Sequence, residues 1–124
     1  MSGTVRTFRD LLVWQKAMAL VTELYRVSSG FPKEEVYGLT SQMRRCAVSI
    51  PSNIAEGFGR QSTGDYVRFL SIAEGSLYEL QTQLEISHNL TYLALEQYES
   101  LGSSTREIER MLTSLIRKLK ANQT

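Results

Sequence analysis

Apolar residues return along most of the chain at alternating steps of four and three, the spacing that lines one face of an α-helix. The first series is Val13, Ala17, Leu20, Leu24 and Val27. A second, Trp14, Met18, Val21 and Tyr25, repeats it one position further on. Together they cover about 180° of the helix, wider than the stripe a surface helix needs. Thr7 and Asp10 have capping-box spacing, so this helix is expected to start near Thr7. It ends around Ser28-Ser29-Gly30, with Pro32 close behind.

The second helix starts between Lys33 and Gly38 and carries Val36, Thr40, Met43, Ala47, Ile50, Ile54 and Gly57 in one register. The phase does not break at Pro51. A loop has no reason to keep helical register, so a continuous helix kinked at Pro51 is favoured. The rival is a true break, with Asn53 and Glu56 as a capping box for a short new helix. Pro51 cannot donate to the Ala47 carbonyl, a loss of about 3 kcal/mol in an isolated helix. The hydroxyls of Ser49 and Ser52 are expected to serve the freed backbone groups.

Ser62 or Thr63 caps the third helix, with Asp65 in its first turn. Tyr66, Leu70, Ala73, Leu77, Leu80 and Leu84 hold the rhythm until it fades near Asn89. Gly75 lies inside it at a cost of about 1 kcal/mol against alanine, a cost that another backbone packed close to it would justify. The fourth helix, about 94–120, carries Leu101, Thr105, Ile108, Leu112, Leu115 and Leu119 and has no good N-cap. Four helices with short connections imply an all-α, antiparallel up-and-down four-helix bundle. It forms one domain over 1–124, with its core about 8–120. The excess apolar arc on the first helix calls for a second surface, and another subunit is the simplest candidate.

Composition narrows the chemistry. The net charge is +1, far from the strongly basic footprint of a dedicated DNA binder. It is unevenly spread: 1–60 carry eight basic and five acidic groups, 61–100 one and six, and 101–124 five and two. Such a subunit can pair with copies of itself. One cysteine, Cys46, fits a reducing compartment. The first residues lack the apolar run of a signal peptide, and no stretch approaches a membrane span, so a cytoplasmic protein is expected.

No catalytic constellation emerges, so no enzymatic activity, cofactor or metal site is expected. His88 is the single histidine and reads as a solvated helix-end residue. Cys46 has no histidine to activate it and reads as a buried thiol. Gly57 and Gly59 follow no strand and so do not form a phosphate loop; they read as the end of the second helix. Arg45, Ser49, Ser52, Glu56 and Arg60 fall within about 80° of one another on that helix. Arg44 borders this polar face and Arg68 follows it. The face is either a solvated or subunit-facing surface or a set of phosphate contacts to RNA or DNA. Arg117, Lys118 and Lys120 add a basic end to the fourth helix.

The segments FRDLLVWQKAMAL, FPKEEVYGLTSQMRRCAVSIPSNIAEGFGR and Tyr66–Leu84 resemble the four-helix-bundle family named for proteins encoded in intervening sequences of bacterial 23S rRNA genes. The resemblance covers roughly 8–120. SIPSNIAEG is its most specific part, with Pro51, Asn53, Glu56 and Gly57 as signature positions. It implies a homo-oligomer, known folds of this type forming five-fold rings, and no enzymatic activity. Distant relatives of the fold are accessory proteins for reverse transcriptases in diversity-generating retroelements, where a basic ring binds nucleic acid and the transcriptase. This chain departs from them in its low charge. The expected function is therefore a non-catalytic, pentameric scaffold associated with structured RNA or a ribonucleoprotein. The alternative is a protein-interaction module, such as one that binds a reverse transcriptase, with no nucleic-acid role. Candidate contacts are Arg44, Arg45, Arg60, Arg68, Arg117, Lys118 and Lys120.

Overall fold

A computed structural model describes residues 4–122. Its four helices are α1 (Leu12–Ser28), α2 (Leu39–Phe58), α3 (Thr63–Asn89) and α4 (Leu95–Ala121). Neighbouring helices pack around a square: α1 and α3 each pack on α2 and α4, and among the described residues the diagonal pairs do not meet. Side-chain bonds fix the directions. Arg44 reaches Ser28, Ser49 meets Ser76, and Glu74 meets Thr113 while Gln81 meets Glu109. Along α3–α4 one number rises as the other falls, and the same holds along α2–α3, where Met43 also meets Ser87. The first turns of α2 meet the last residue of α1, so each helix runs against the one before it.

Most of the periodic series becomes the core; Val36 does not, lying 50% exposed ahead of α2, which begins at Leu39. Ala17, Leu24, Met43, Ala47, Ile50, Ile54, Leu70, Ala73, Leu77, Leu80 and Leu112 are wholly buried. Near the end of α4 the buried residue is Ile116, while Leu115 is half-buried. The second series on α1 stays at the surface: Trp14 and Val21 are half-buried, and Met18 and Tyr25 are exposed.

The start of α1 differs from expectation. Thr7 and Asp10 do form a capping box, but it closes a single 3-10 turn over Phe8–Asp10. Leu11 is extended at φ −73° and ψ 123°, so the α-helix begins one residue later. The turn is held by the Phe8 ring against Trp14, 5.2 Å between centroids, and by Gln15 donating to the Arg9 carbonyl at 2.8 Å. Backbone N–H groups of Thr7 and Arg6 hold the Asp10 carboxyl below its ordinary pKa.

At Pro51 the helix does not break. α2 is continuous from Leu39 to Phe58 and Pro51 is buried inside it. Asn53 and Glu56 form no capping box: Asn53 donates to the Ser49 carbonyl at 2.8 Å, and Glu56 pairs with Arg60 at 2.9 Å. The Ser49 hydroxyl turns to Ser76 across the α2–α3 seam, 2.8 Å away, rather than to freed backbone groups, and Ser52 is exposed. Ser62 caps α3 by accepting from the Asp65 N–H at 3.1 Å. After α3 the chain turns through Thr91 at φ 64°, a left-handed conformation unusual for a β-branched residue. There the Tyr92 N–H reaches the Ser87 carbonyl at 2.9 Å, as in a helix-ending Schellman turn.

The close approach expected at Gly75 is found at Gly57 instead. A methyl group on Gly75 would have nothing within 4 Å, because Gly75 faces outward. A Gly75→Ala substitution is therefore expected to stabilise the protein by about 1 kcal/mol, the difference in helix propensity. Denaturant titration measures this directly. A loss of stability would mean that another chain is packed against that face.

Candidate nucleic-acid interface

The seven candidate cations do not form one patch. Arg44 and Arg45 stand near the start of α2 and Arg60 just past its end. From Arg44 the helix runs on to its end at Phe58, about 21 Å at 1.5 Å per residue. The antiparallel order brings the C-terminus of α2, the N-terminus of α3 and the C-terminus of α4 to one end of the bundle. Arg60, Arg68, Arg117, Lys118 and Lys120 therefore share that end. Arg44 and Arg45 lie at the other.

At the first end, Arg60 and Arg68 lie against the same ring, their guanidinium carbons 4.4 and 5.1 Å from the Phe69 centroid. Each also has an acidic neighbour: Glu56 at 2.9 Å from Arg60, and Asp65 at 3.8 Å from Arg68. Both pairs are well exposed, and such pairs hold side chains loosely, with about 0–1 kcal/mol of net attraction. Phe69 gives the two arginines a common platform that the sequence reading missed. The only signal is its place beside Arg68, and the four-residue turn that folds Arg60 back towards it is not visible in periodicity. Arg117, Lys118 and Lys120 are exposed and form no ion pair among the described residues. Arg117 and Lys120 border a recess of about 260 Å³ with Glu74, whose carboxylate accepts from Thr113 at 3.2 Å.

At the other end Arg44 is built into the fold. Its Nε donates to Ser28 Oγ at 2.9 Å and its Nη2 to the Tyr25 carbonyl at 3.1 Å. The guanidinium covers the Tyr25 ring at 4.5 Å. Tyr25 belongs to the second apolar series of α1, so part of that excess arc is covered from within the chain. Arg45 is exposed.

The residues with nucleophilic or basic potential are spent elsewhere. His88 is not solvated: it is half-buried and stacks flat on Tyr98, 4.4 Å between centroids, and its buried Nδ1 has no hydrogen-bond partner among the described residues. Cys46 is buried, as expected, and donates to the Ser76 carbonyl at 2.9 Å. Burial, then the nearby Glu79 charge, pushes the thiol up to about 12. Two consequences follow. Alkylation of Cys46 in the native protein is expected to be slow at pH 8, and fast once denaturant exposes it. Stability is expected to be unaffected by this group below about pH 9, where the thiol is protonated in both states, and to fall as pH rises towards 12, where only the unfolded chain ionises. Cys46→Ala should flatten that alkaline decline in melting temperature. An equal decline in the variant would remove Cys46 as its cause.

Among the described residues, no group of three or more His, Cys, Asp and Glu side chains could hold a metal ion. No described helix is long and apolar enough to cross a membrane.

Four antiparallel helices around a single core, with cations and aromatics gathered at the ends, define an all-helical four-helix-bundle protein. Residues 9–114 match the family of 23S rRNA-intervening sequence proteins, and the chain belongs to that family. It is also similar to the crystal structure of a protein with unknown function from the S23 ribosomal protein family of Bacteroides thetaiotaomicron. That chain is 28% identical with a TM-score of 0.77, over 85% of this chain and 98% of the other. No curated protein matches the sequence.

Proposed function

We propose that the protein is a non-catalytic, homo-oligomeric, cytoplasmic scaffold that holds structured RNA by its phosphates. The observation that carries the reading is the basic end. Arg117, Lys118 and Lys120 have no ion-pair partner among the described residues, and chain direction puts them on the same end as Arg60 and Arg68. Ring formation by five copies would repeat this end five times and compensate for the low charge of one subunit. Met18 and Tyr25 on α1, together with Ile72, Tyr78 and Ile86 on α3, are apolar residues exposed on one copy that a neighbour would cover.

The test is binding to a structured fragment of 23S rRNA at low and at physiological salt. Affinity is expected to fall steeply with salt as counterions return to the phosphates. Replacing Arg117, Lys118 and Lys120 together by glutamine is expected to weaken binding and reduce the salt slope by about 2 to 3. No binding at low salt would overturn the reading. Light scattering on a size-exclusion column is expected to give a mass well above the 14.1 kDa of one chain, near five subunits, and a clean monomer at micromolar concentration would refute the ring. The exposed apolar residues also suit a protein partner such as a reverse transcriptase. In that case pull-downs would recover the partner with no dependence on RNA.

A further inference from the structure

Where α1 ends and α2 begins, two recesses of about 430 and 220 Å³ adjoin, sharing Val36, Thr40 and Arg44 as walls. Around them stand Ser28, Ser29 and Lys33 in the larger, and Ser41 and Arg45 in the smaller. We propose that this junction is a phosphate-binding site, separate from the basic end at the opposite pole of the bundle.

Arg44 is the first reason. Ser28, the Tyr25 carbonyl and the Tyr25 ring hold its guanidinium in place, yet they occupy only Nε and one hydrogen of Nη2. Its remaining donors belong to a rigid, pre-oriented fork of the kind that grips a phosphate by two bonds. No carboxylate forms an ion pair with Arg44, Arg45 or Lys33 among the described residues. Glu35 does lie on the connecting segment, but its two oxygens are taken by the Leu39 N–H at 3.0 Å and the Tyr92 hydroxyl at 2.9 Å. The result is three cations with no ion-pair partner among the described residues, although Glu34 and Glu35 follow Lys33 along the connection.

Thr40 is the second, independent reason. It is 5% exposed, and its hydroxyl has no hydrogen-bond partner among the described residues. Leaving a buried hydroxyl unpaired costs about 1–3 kcal/mol. Helical threonine has two χ1 wells open to it, so this hydroxyl can turn to a ligand seated beside it. The start of α2 adds to the effect. Gly38 offers no side-chain cap, and while Glu35 takes the Leu39 N–H, the N–H groups of Thr40 and Ser41 find no acceptor among the described residues. Free N–H groups at a helix start favour a negative ligand. The shared chemistry is a phosphate group, carried either by a free phosphate or nucleotide or by the backbone of an RNA.

The test is titration of the full chain with inorganic phosphate, followed by amide chemical shifts and by melting temperature. Saturable shifts are expected at Thr40, Ser41 and the Arg44 side chain, with a rise in melting temperature. Arg44→Gln is expected to weaken binding roughly tenfold or more, since it removes the charged fork. Because Arg44 also ties α2 to α1, Lys33→Gln and Thr40→Val provide variants that leave those ties intact, and each is expected to weaken phosphate binding severalfold. Lys16→Gln, on α1 where Lys16 pairs with Glu107 away from both basic sites, should change nothing. Adenosine monophosphate and a short single-stranded RNA then separate the sources: with Arg117, Lys118 and Lys120 replaced by glutamine, the one that saturates the Thr40 and Ser41 amide shifts at the lower phosphate concentration is the physiological class. Absence of saturable shifts at Thr40 and Ser41, or shifts unchanged in both Arg44→Gln and Lys33→Gln, would overturn the proposal. Loss of RNA binding on neutralising the α4 end leaves this result unaffected, so the two readings fail separately.

Discussion

Replacing Gly57 by valine is expected to lower the free energy of unfolding by about 3 kcal/mol and the melting temperature by about 10 °C or more. A Cβ at this position would lie 2.8 Å from the Cβ of Phe69, 3.1 Å from Cδ1 of Tyr66 and 3.2 Å from the Tyr66 carbonyl oxygen. The Tyr66 ring can rotate away. The Phe69 Cβ and the Tyr66 carbonyl cannot move without shifting α3, because only four residues join α2 to α3 and leave no slack. Valine also loses rotamer freedom in a helix, which adds to the penalty. Gly57→Ala is the milder variant: it meets the same wall but regains about 1 kcal/mol of helix propensity. Urea denaturation of both, at one fixed protein concentration, gives the ranking. If Gly57→Val were as stable as the parent, α2 and α3 would not approach as closely as the structure has them.

The second large effect is expected from Leu77→Ala, a loss of about 3 to 4 kcal/mol. Leu77 is wholly buried midway along α3, the helix that packs on both α2 and α4. Its removal leaves a cavity between three helices, and none of them can collapse into it without losing contacts elsewhere. Small domains have about 5–15 kcal/mol in all, so this change alone threatens the fold. Tyr78→Ala is the control. Tyr78 is the next residue but faces outward, 46% exposed, and on an isolated subunit its loss should change stability by less than about 0.5 kcal/mol. In an oligomer that buries this face, the Tyr78 effect grows and depends on protein concentration, since subunit binding adds to apparent stability. Comparable losses for Leu77→Ala and Tyr78→Ala in a proven monomer would contradict the helix orientation.

Much of the fold was legible in the sequence. The four-three rhythm marked the buried face of each helix, and Thr40, Met43, Ala47, Ile50, Ile54 and Gly57 are all buried on α2 in the register read across Pro51. This works because a helix presents side chains at a fixed angle per residue, so a local pattern reports which face must leave water. Capping was half legible. Ser62 caps α3 as read, but the Thr7 box closes only a 3-10 turn, since cap chemistry fixes where a turn begins and not how far it continues. Glycine was partly legible: Gly57 falls in the buried register of α2 and Gly75 outside that of α3, but how closely α3 approaches Gly57 is set by helix packing and not by the pattern.

The site was less legible. Arg44, Arg45, Arg60 and Arg68 are close in sequence and read as one cluster, yet the length of α2 divides them between the two ends. Arg117, Lys118 and Lys120 are remote in sequence from Arg60 and Arg68, yet the antiparallel order gathers them. Phe69 under two arginines, Tyr25 under Arg44 and the unpaired Thr40 hydroxyl carry no signal in a one-dimensional pattern. The helices and most of their buried faces can be read from the chain alone, because they rest on interactions between residues a few positions apart. Helix packing sets which charges share an end, how closely α3 meets Gly57 and which polar atoms lack a partner. These depend on distances between residues far apart in the chain, which burial of the core sets and local periodicity does not contain.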